Sequence, residues 1–209
     1  SEKYVLVLSH DEVVHLKCSM LNKMPGELED KFKNLKAGYT FMMGHPGKKL
    51  LFMGQDFGQL REWSEERELD WFLLQEKEHR DLQSFVKDLL YIYRKYPAVH
   101  ATDNDPQGFE WINANDNSRS IFSFIRHSED KKNNLLFVIN FTPVARPDYR
   151  VGVPRRKQYK LILNSDDIEF GGSGKIQPEV YKAVKQECDG RPYSFGYDLP
   201  AYGVAIFKF

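Results

Sequence analysis

The sequence predicts an α/β part followed by an all-β part. In the first half, two apolar runs, Tyr4–Leu8 and Lys49–Met53, flank a segment of helical periodicity. Strand, helix and strand in this order, with short links, form a parallel βαβ unit. In the second half, short runs of period-two alternation recur between turn residues, which is typical of an antiparallel sandwich or barrel. A length of 209 residues allows one large domain or two small ones.

The first run, Tyr4–Leu8, has no charge and reads as a strand buried on both faces. The polar cluster Ser9-His10-Asp11-Glu12 begins where this strand ends. In barrels of alternating strands and helices, side chains at this end of the strands line the active site, so His10 and Asp11 are candidate site residues. The alternative is a solvated turn in which Ser9 or Asp11 caps the next segment.

No metal site is predicted. The zinc motif His-Glu-x-x-His needs its histidines at i and i+4 on one helical face. His10 and His15 are five positions apart, about 140° around a helix.

A first helix is predicted from about Leu28 to Met43, and the segment 44–47 ends it with glycine and proline. Its apolar stripe consists of Leu28, Phe32, Leu35, Tyr39 and Met42. The strand Lys49–Met53 then runs into a second polar end at 54–59. Because parallel strands finish at the same sheet edge, Gln55 and Asp56 are expected beside His10 and Asp11.

The linker 60–76 carries Trp63 and Trp71, which fit either a sugar platform or packing of the loop onto its own barrel. A second amphipathic helix is predicted from His79 to Tyr96, stopped by Pro97. After it, five strands are predicted: 109–112, 120–126, 135–141, 159–163 and 203–209.

Composition excludes several classes of function. Lysine plus arginine equals aspartate plus glutamate, so no overall positive field draws in nucleic acid or an acidic membrane surface. Cys18 and Cys188 do not make a disulfide framework, which favours a reducing compartment. With no signal peptide or membrane-length apolar run in the sequence, we expect a cytoplasmic protein.

Several long motifs resemble the 1,4-α-glucan (glycogen) branching enzymes of the α-amylase superfamily. They are the segments 8–15, 22–26, 45–54, 61–63, 105–111 and 140–144. Two positions depart from the usual family pattern: Leu16-Lys17-Cys18 stands for Gly-Lys-Lys, and Gln55-Asp56-Phe57 for Asn-Glu-Phe. These departures bear on acceptor preference or local loop shape.

The resemblance implies the C-terminal part of a (β/α)8 barrel at 1–105, with its last two strand-helix units, followed by an antiparallel β-sandwich domain at 106–209. It implies that Asp11 stabilises the distorted, oxocarbenium-like sugar and that His10 hydrogen-bonds the same sugar. Arg61, Glu62 and Trp63 are expected to contact the substrate, an α-glucan such as glycogen or starch. No cofactor is implied.

By the same resemblance, the nucleophile and general acid/base lie on barrel strands upstream of this sequence. The chain is therefore expected to be inactive alone and to self-associate through its partial barrel. Two other functions remain open. The chain could be a non-catalytic glucan-binding module, or part of another α-amylase-superfamily transferase or debranching enzyme.

Overall fold

The computed structural model of the protein describes residues 8–116 and 118–209. Two helices come first, α1 (Leu28–Gly44) and α2 (Lys77–Lys95). Eight strands follow in chain order: β1 (Phe109–Asn113), β2 (Ile121–Arg126), β3 (Leu135–Asn140), β4 (Arg146–Val153), β5 (Gln158–Asn164), β6 (Val180–Lys182), β7 (Tyr193–Leu199) and β8 (Val204–Lys208). Both helices lie within two residues of their expected bounds.

The strands form two antiparallel sheets. The large sheet has the order β1-β2-β3-β8-β5-β6, and the small sheet pairs β4 with β7. An apolar core that includes Leu136 and Phe207 from the large sheet and Val151 and Phe195 from the small one lies between them. The expectation of an all-β antiparallel sandwich is therefore confirmed, and the five predicted strands begin and end within one residue of their expected positions.

The sequence analysis did not assign β4, β6 and β7. In β4, Pro147 and Asp148, the latter at φ 46°, interrupt the ladder, and the pairing shifts between Arg146 and Tyr149. Proline and a left-handed aspartate are typical of turns, so this segment carries no clear strand signal. The strand β6 has only three residues.

The helices cover the opposite face of the large sheet. Leu35 of α1 and Phe85 of α2 share a second core with Phe137 of β3 and Ile206 of β8. Because both faces of the sheet are covered, β3 is buried at every position. Leu28, which was expected on the buried stripe, is half exposed at the first position of α1.

The expected parallel strands are only partly visible. Residues 4–7 of the first strand lie outside the described residues. Leu8 and Leu51 form an isolated parallel bridge, in the predicted direction, but the prediction of a strand over 49–53 is wrong. The chain turns directly after this bridge, since the Phe52 amide donates to the side chain of Gln55 (2.9 Å) instead of continuing a ladder.

Neither helix in the described parts of the chain has the length and apolar character needed to cross a bilayer.

Candidate functional site

His10 and Asp11 lie on a short 3₁₀ turn that directly follows Ser9. The Asp11 carboxylate is 3.1 Å from His10 Nε2 through one oxygen and accepts a hydrogen bond from Ser9 Oγ (3.3 Å) through the other. The side chain of Asp11 is 69% exposed and that of His10 is 56% exposed. Both groups are thus held by local contacts and remain open to a ligand.

Aromatic rings connect this turn with Trp63. The ring centres of His10 and Phe52 are 6.0 Å apart, and Phe52 meets Trp63 edge-on at 5.1 Å. The Trp63 amide also donates to the carbonyl of Val13 (3.0 Å), two residues after Asp11. The structure therefore brings His10, Asp11 and Trp63 into one neighbourhood, with Phe52 in the middle.

Glu62 holds the loop that follows the turn. Its carboxylate accepts hydrogen bonds from the amides of Cys18 (2.7 Å) and Leu16 (3.0 Å). These two backbone donors lower the pKa of Glu62. His15, Leu16 and Cys18 have φ values of 50°, 67° and 65°, a left-handed conformation that is unfavourable for residues with a Cβ. The contacts of Glu62 stabilise this conformation.

Arg61 forms a two-pronged ion pair with Asp70. Arg61 Nε donates to Asp70 Oδ2 (2.8 Å), and the second guanidinium nitrogen contacts Asp70 Oδ1. Asp70 is buried, and the hydrogen bond from Arg61 lowers the pKa of its carboxyl group. The guanidinium thus anchors the linker after residue 60. Nothing in the spacing of Arg61 and Asp70 indicated this pair.

The second polar segment, residues 54–59, is hydrogen-bonded to both helices. The carbonyl of Gln55 accepts a hydrogen bond from Tyr39 Oη of α1 (2.9 Å), and Asp56 accepts one from Gln83 of α2 (3.1 Å). Gln55 Nε2 is buried without a hydrogen-bond partner among the described residues. Gln55 also lines a small cavity with Arg61 and Trp63.

The described residues contain no cluster of three or more histidine, cysteine, aspartate or glutamate side chains that could hold a metal ion. Trp71, the second tryptophan of the linker, is 53% exposed, and its ring centre is 5.2 Å from that of Phe57. Trp71 thus packs on its own loop through one part of its ring and leaves another part accessible.

Comparisons with known proteins show which proteins this chain is similar to. Residues 111–209 match the family model described as the C-terminal all-beta domain of alpha amylase. The chain is 58% identical over its whole length to a 1,4-alpha-glucan branching enzyme of Butyrivibrio fibrisolvens, and 48% identical to that of Aquifex aeolicus. It covers 33% of each of these relatives.

Solved structures agree on the fold. An alpha-amylase from H. orenii aligns with a TM-score of 0.59 and 16% identity over 97% of this chain and 39% of its own. AmyP in complex with maltose aligns with a TM-score of 0.54 and 15% identity over 85% of this chain and 35% of its own. The chain is therefore similar along its whole length to 1,4-alpha-glucan branching enzymes, spans about a third of the length of these relatives, and matches the amylase-type all-beta domain at residues 111–209.

Proposed function

We propose that this chain is part of an enzyme that cleaves an α-1,4-glucan and transfers the chain to a 6-hydroxyl, forming an α-1,6 branch by a retaining double displacement. The observation that carries the proposal is the 58% identity, along the whole chain, to a relative named for this reaction. The exposed His10–Asp11 pair agrees with it.

Asp11 is proposed to stabilise the transition state. A carboxylate that holds ring hydroxyls accelerates the reaction when its contacts strengthen as the sugar flattens and positive charge develops. His10 lies beside it and can hydrogen-bond the same sugar. Trp63 supplies an aromatic surface next to them, while Arg61 and Glu62 act on the substrate by fixing the loops around it.

We further propose that residues 1–105 supply the last two strand-helix units of a (β/α)8 barrel, and that 106–209 is the sandwich domain beside it. The nucleophile and general acid/base would come from the other two thirds of the protein. The chain alone should then leave the iodine spectrum of amylose unchanged, and a time- and concentration-dependent change would contradict this division. A cytoplasmic location belongs to the same proposal.

A chimaera tests the function directly. The segment of the Butyrivibrio fibrisolvens enzyme that aligns with this chain would be replaced by this chain, and branching would be followed by iodine staining of amylose. We expect activity in the chimaera and its loss, by several powers of ten, in Asp11→Asn, because an amide cannot stabilise the developing charge as a carboxylate does. His10→Ala should lose less, since one neutral hydrogen bond contributes about 0.5–1.5 kcal/mol.

Glu12→Gln is the matched control, because it removes a carboxylate from the same turn at a position with no proposed role. An Asp11→Asn chimaera with near-normal turnover and unchanged melting would contradict the role of Asp11. A folded but inactive chimaera, with its parent active under the same conditions, would contradict the proposed function.

Self-association of the isolated chain is also proposed. Leu16, Leu50 and Met53, on and beside the expected barrel edge, are all exposed. Each large aliphatic left in water forgoes about 1.5–3 kcal/mol of burial. Light scattering at micromolar concentration should therefore detect a dimer or larger species, and a monomer that also fails to bind a hydrophobic dye would contradict this expectation.

One observation favours a second candidate, a glucan-binding module. Trp71 and Phe72 are adjacent and are 53% and 63% exposed. Exposed rings can stack on sugar faces. Retention of the chain on immobilised glycogen, with release of the Trp71→Ala variant, would favour binding by this surface.

A further inference from the structure

A groove of about 680 Å³ opens between the end of α2 and the large sheet, and the predicted site residues take no part in it. One wall is a face of α2 that presents Asp88, Tyr91 and Lys95, at the three- and four-residue spacing of one helical face. The floor is formed by β5 and β8, which contribute Lys160 and Lys208. The groove thus combines lysines from three elements with aromatic rings.

Lys160 and Lys208 are directly opposite each other in the pairing of β5 with β8. Their neighbours Tyr159 and Phe207 belong to the core between the sheets, so both lysines lie on the groove side. Like charges directly opposite each other in a sheet are destabilising. Lys160 is paired with Glu179 at 2.6 Å, whereas Lys208 has no carboxylate within ion-pair distance among the described residues.

Lys95 adds a third ammonium group. Its Nζ is 5.0 Å from the ring centre of Tyr91 and 5.6 Å from that of Tyr96, and Lys208 lies 6.0 Å from Tyr96 as well. Two cations therefore share one ring. The C-terminal dipole of α2 favours a cation at position 95, but it does not explain the lysines on the strands. An anion in the groove would supply a counter-charge for Lys95 and Lys208, and Lys160 lies close enough to line the same groove.

We propose that this groove binds a phosphorylated sugar. A phosphate monoester carries about two negative charges and would contact the three ammonium groups, since lysine binds phosphate as a point charge. The ring of Tyr91, which is 56% exposed, offers a face for the sugar. The choice of a sugar rests on the proposed glucan chemistry, whereas the phosphate preference rests on the lysines.

The test is a calorimetric titration of the 209-residue chain at low salt with glucose 6-phosphate, phosphorylated maltodextrin, inorganic phosphate and maltose. We expect at least one phosphorylated sugar to bind tenfold or more tightly than maltose, and more tightly than inorganic phosphate. The tighter of the two phosphorylated ligands identifies whether the source is a free sugar phosphate or a modified glucan.

Variants locate the binding. Lys160→Gln combined with Lys208→Gln should weaken binding of the phosphorylated sugar at least tenfold, whereas Lys185→Gln, an exposed lysine outside the groove, should leave it unchanged. Tyr91→Leu should remove the preference over inorganic phosphate. Without ligand, Lys208→Gln should raise the melting temperature at low salt, and the gain should shrink at high salt as the repulsion is screened.

Absence of binding, equal affinity for maltose, or wild-type affinity in the double variant would overturn the proposal. Equal affinity for inorganic phosphate in the wild type would overturn its sugar component. None of these measurements depends on branching activity, so their failure would leave the chimaera experiment unaffected.

Discussion

Replacing Arg126 with methionine should be among the most destabilising changes in this chain. The guanidinium is fully buried and contacts three separate segments. It donates to Asp103 Oδ1 (2.6 Å), to the carbonyl of Gly44 at the end of α1 (2.8 Å) and to the carbonyl of Gly108 before β1 (3.3 Å). No other side chain described here joins these same three segments through hydrogen bonds.

The expected loss follows from what the substitution leaves behind. Removing one partner of a buried ion pair typically costs about 3–5 kcal/mol, because the remaining charge stays buried without compensation. In Arg126→Met that charge is Asp103, whose side chain is only 10% exposed. Two backbone carbonyls also lose a donor. We therefore expect the free energy of unfolding, measured by urea denaturation, to fall by about 3–5 kcal/mol.

Two further variants make the measurement decisive. Adding Asp103→Asn to Arg126→Met removes the uncompensated charge, so the double variant should be less destabilised than the sum of the single variants. Arg150→Met is the matched control, because Arg150 is partly exposed and its nearest carboxylate contact is 3.9 Å, and it should lose less than about 1 kcal/mol. An Arg126→Met variant as stable as Arg150→Met would refute the reasoning.

Three other changes have defined outcomes. A Cβ at Gly44 would lie 2.8 Å from the ring of Phe124, so Gly44→Ala should cost about 1–3 kcal/mol in thermal unfolding. Burial lowers the pKa of Lys36 to about 8, so the unfolded state binds more protons between about pH 8 and 10.5. As the pH rises through this window, the free energy of unfolding of the wild type should therefore increase by up to about 3 kcal/mol relative to that of Lys36→Met. If urea denaturation gave the two proteins the same pH dependence of this free energy, the expectation would be contradicted. Glu62→Gln should speed hydrogen exchange at the Cys18 amide, since that amide loses a charged acceptor. An unchanged exchange rate would show that the loop keeps its conformation without the Glu62 carboxylate.

The elements that could be predicted from the sequence are those with a regular apolar period. The two helices follow this rule because each has an apolar stripe, and the five strands because each is a short apolar or alternating run bounded by turn residues. The strand β7 could have been found in the same way from Tyr193, Phe195, Tyr197 and Leu199. The strand β4 could not, because Pro147 and Asp148 give local turn signals that pairing with β7 overrides.

The arrangement of the candidate site residues was predictable only where it depends on neighbours in the sequence. The exposed pair His10–Asp11 directly follows the apolar run, so its position could be inferred from the sequence. The contacts of Glu62 span 44 and 46 residues, and the partner of Arg61 lies across a turn of the linker. Such contacts depend on tertiary geometry and leave no periodic signal in the sequence. Arg61 and Glu62, which were expected to contact the substrate, therefore have loop contacts that the sequence did not indicate.

The helix α1 connects the sandwich with the site loops. At its C-terminal end, Gly44 lies against Phe124 and Phe137, which stack at 4.9 Å on the outer face of the large sheet. One turn earlier, Tyr39 donates to the carbonyl of Gln55 and so fixes the second polar strand end. Close-packed protein interiors have low compressibility, so a displacement of one packed element is transmitted to its neighbours. We therefore infer that the packing of α1 on the sheet positions the Gln55 loop, so that the all-β part helps to arrange candidate site residues that it does not itself line.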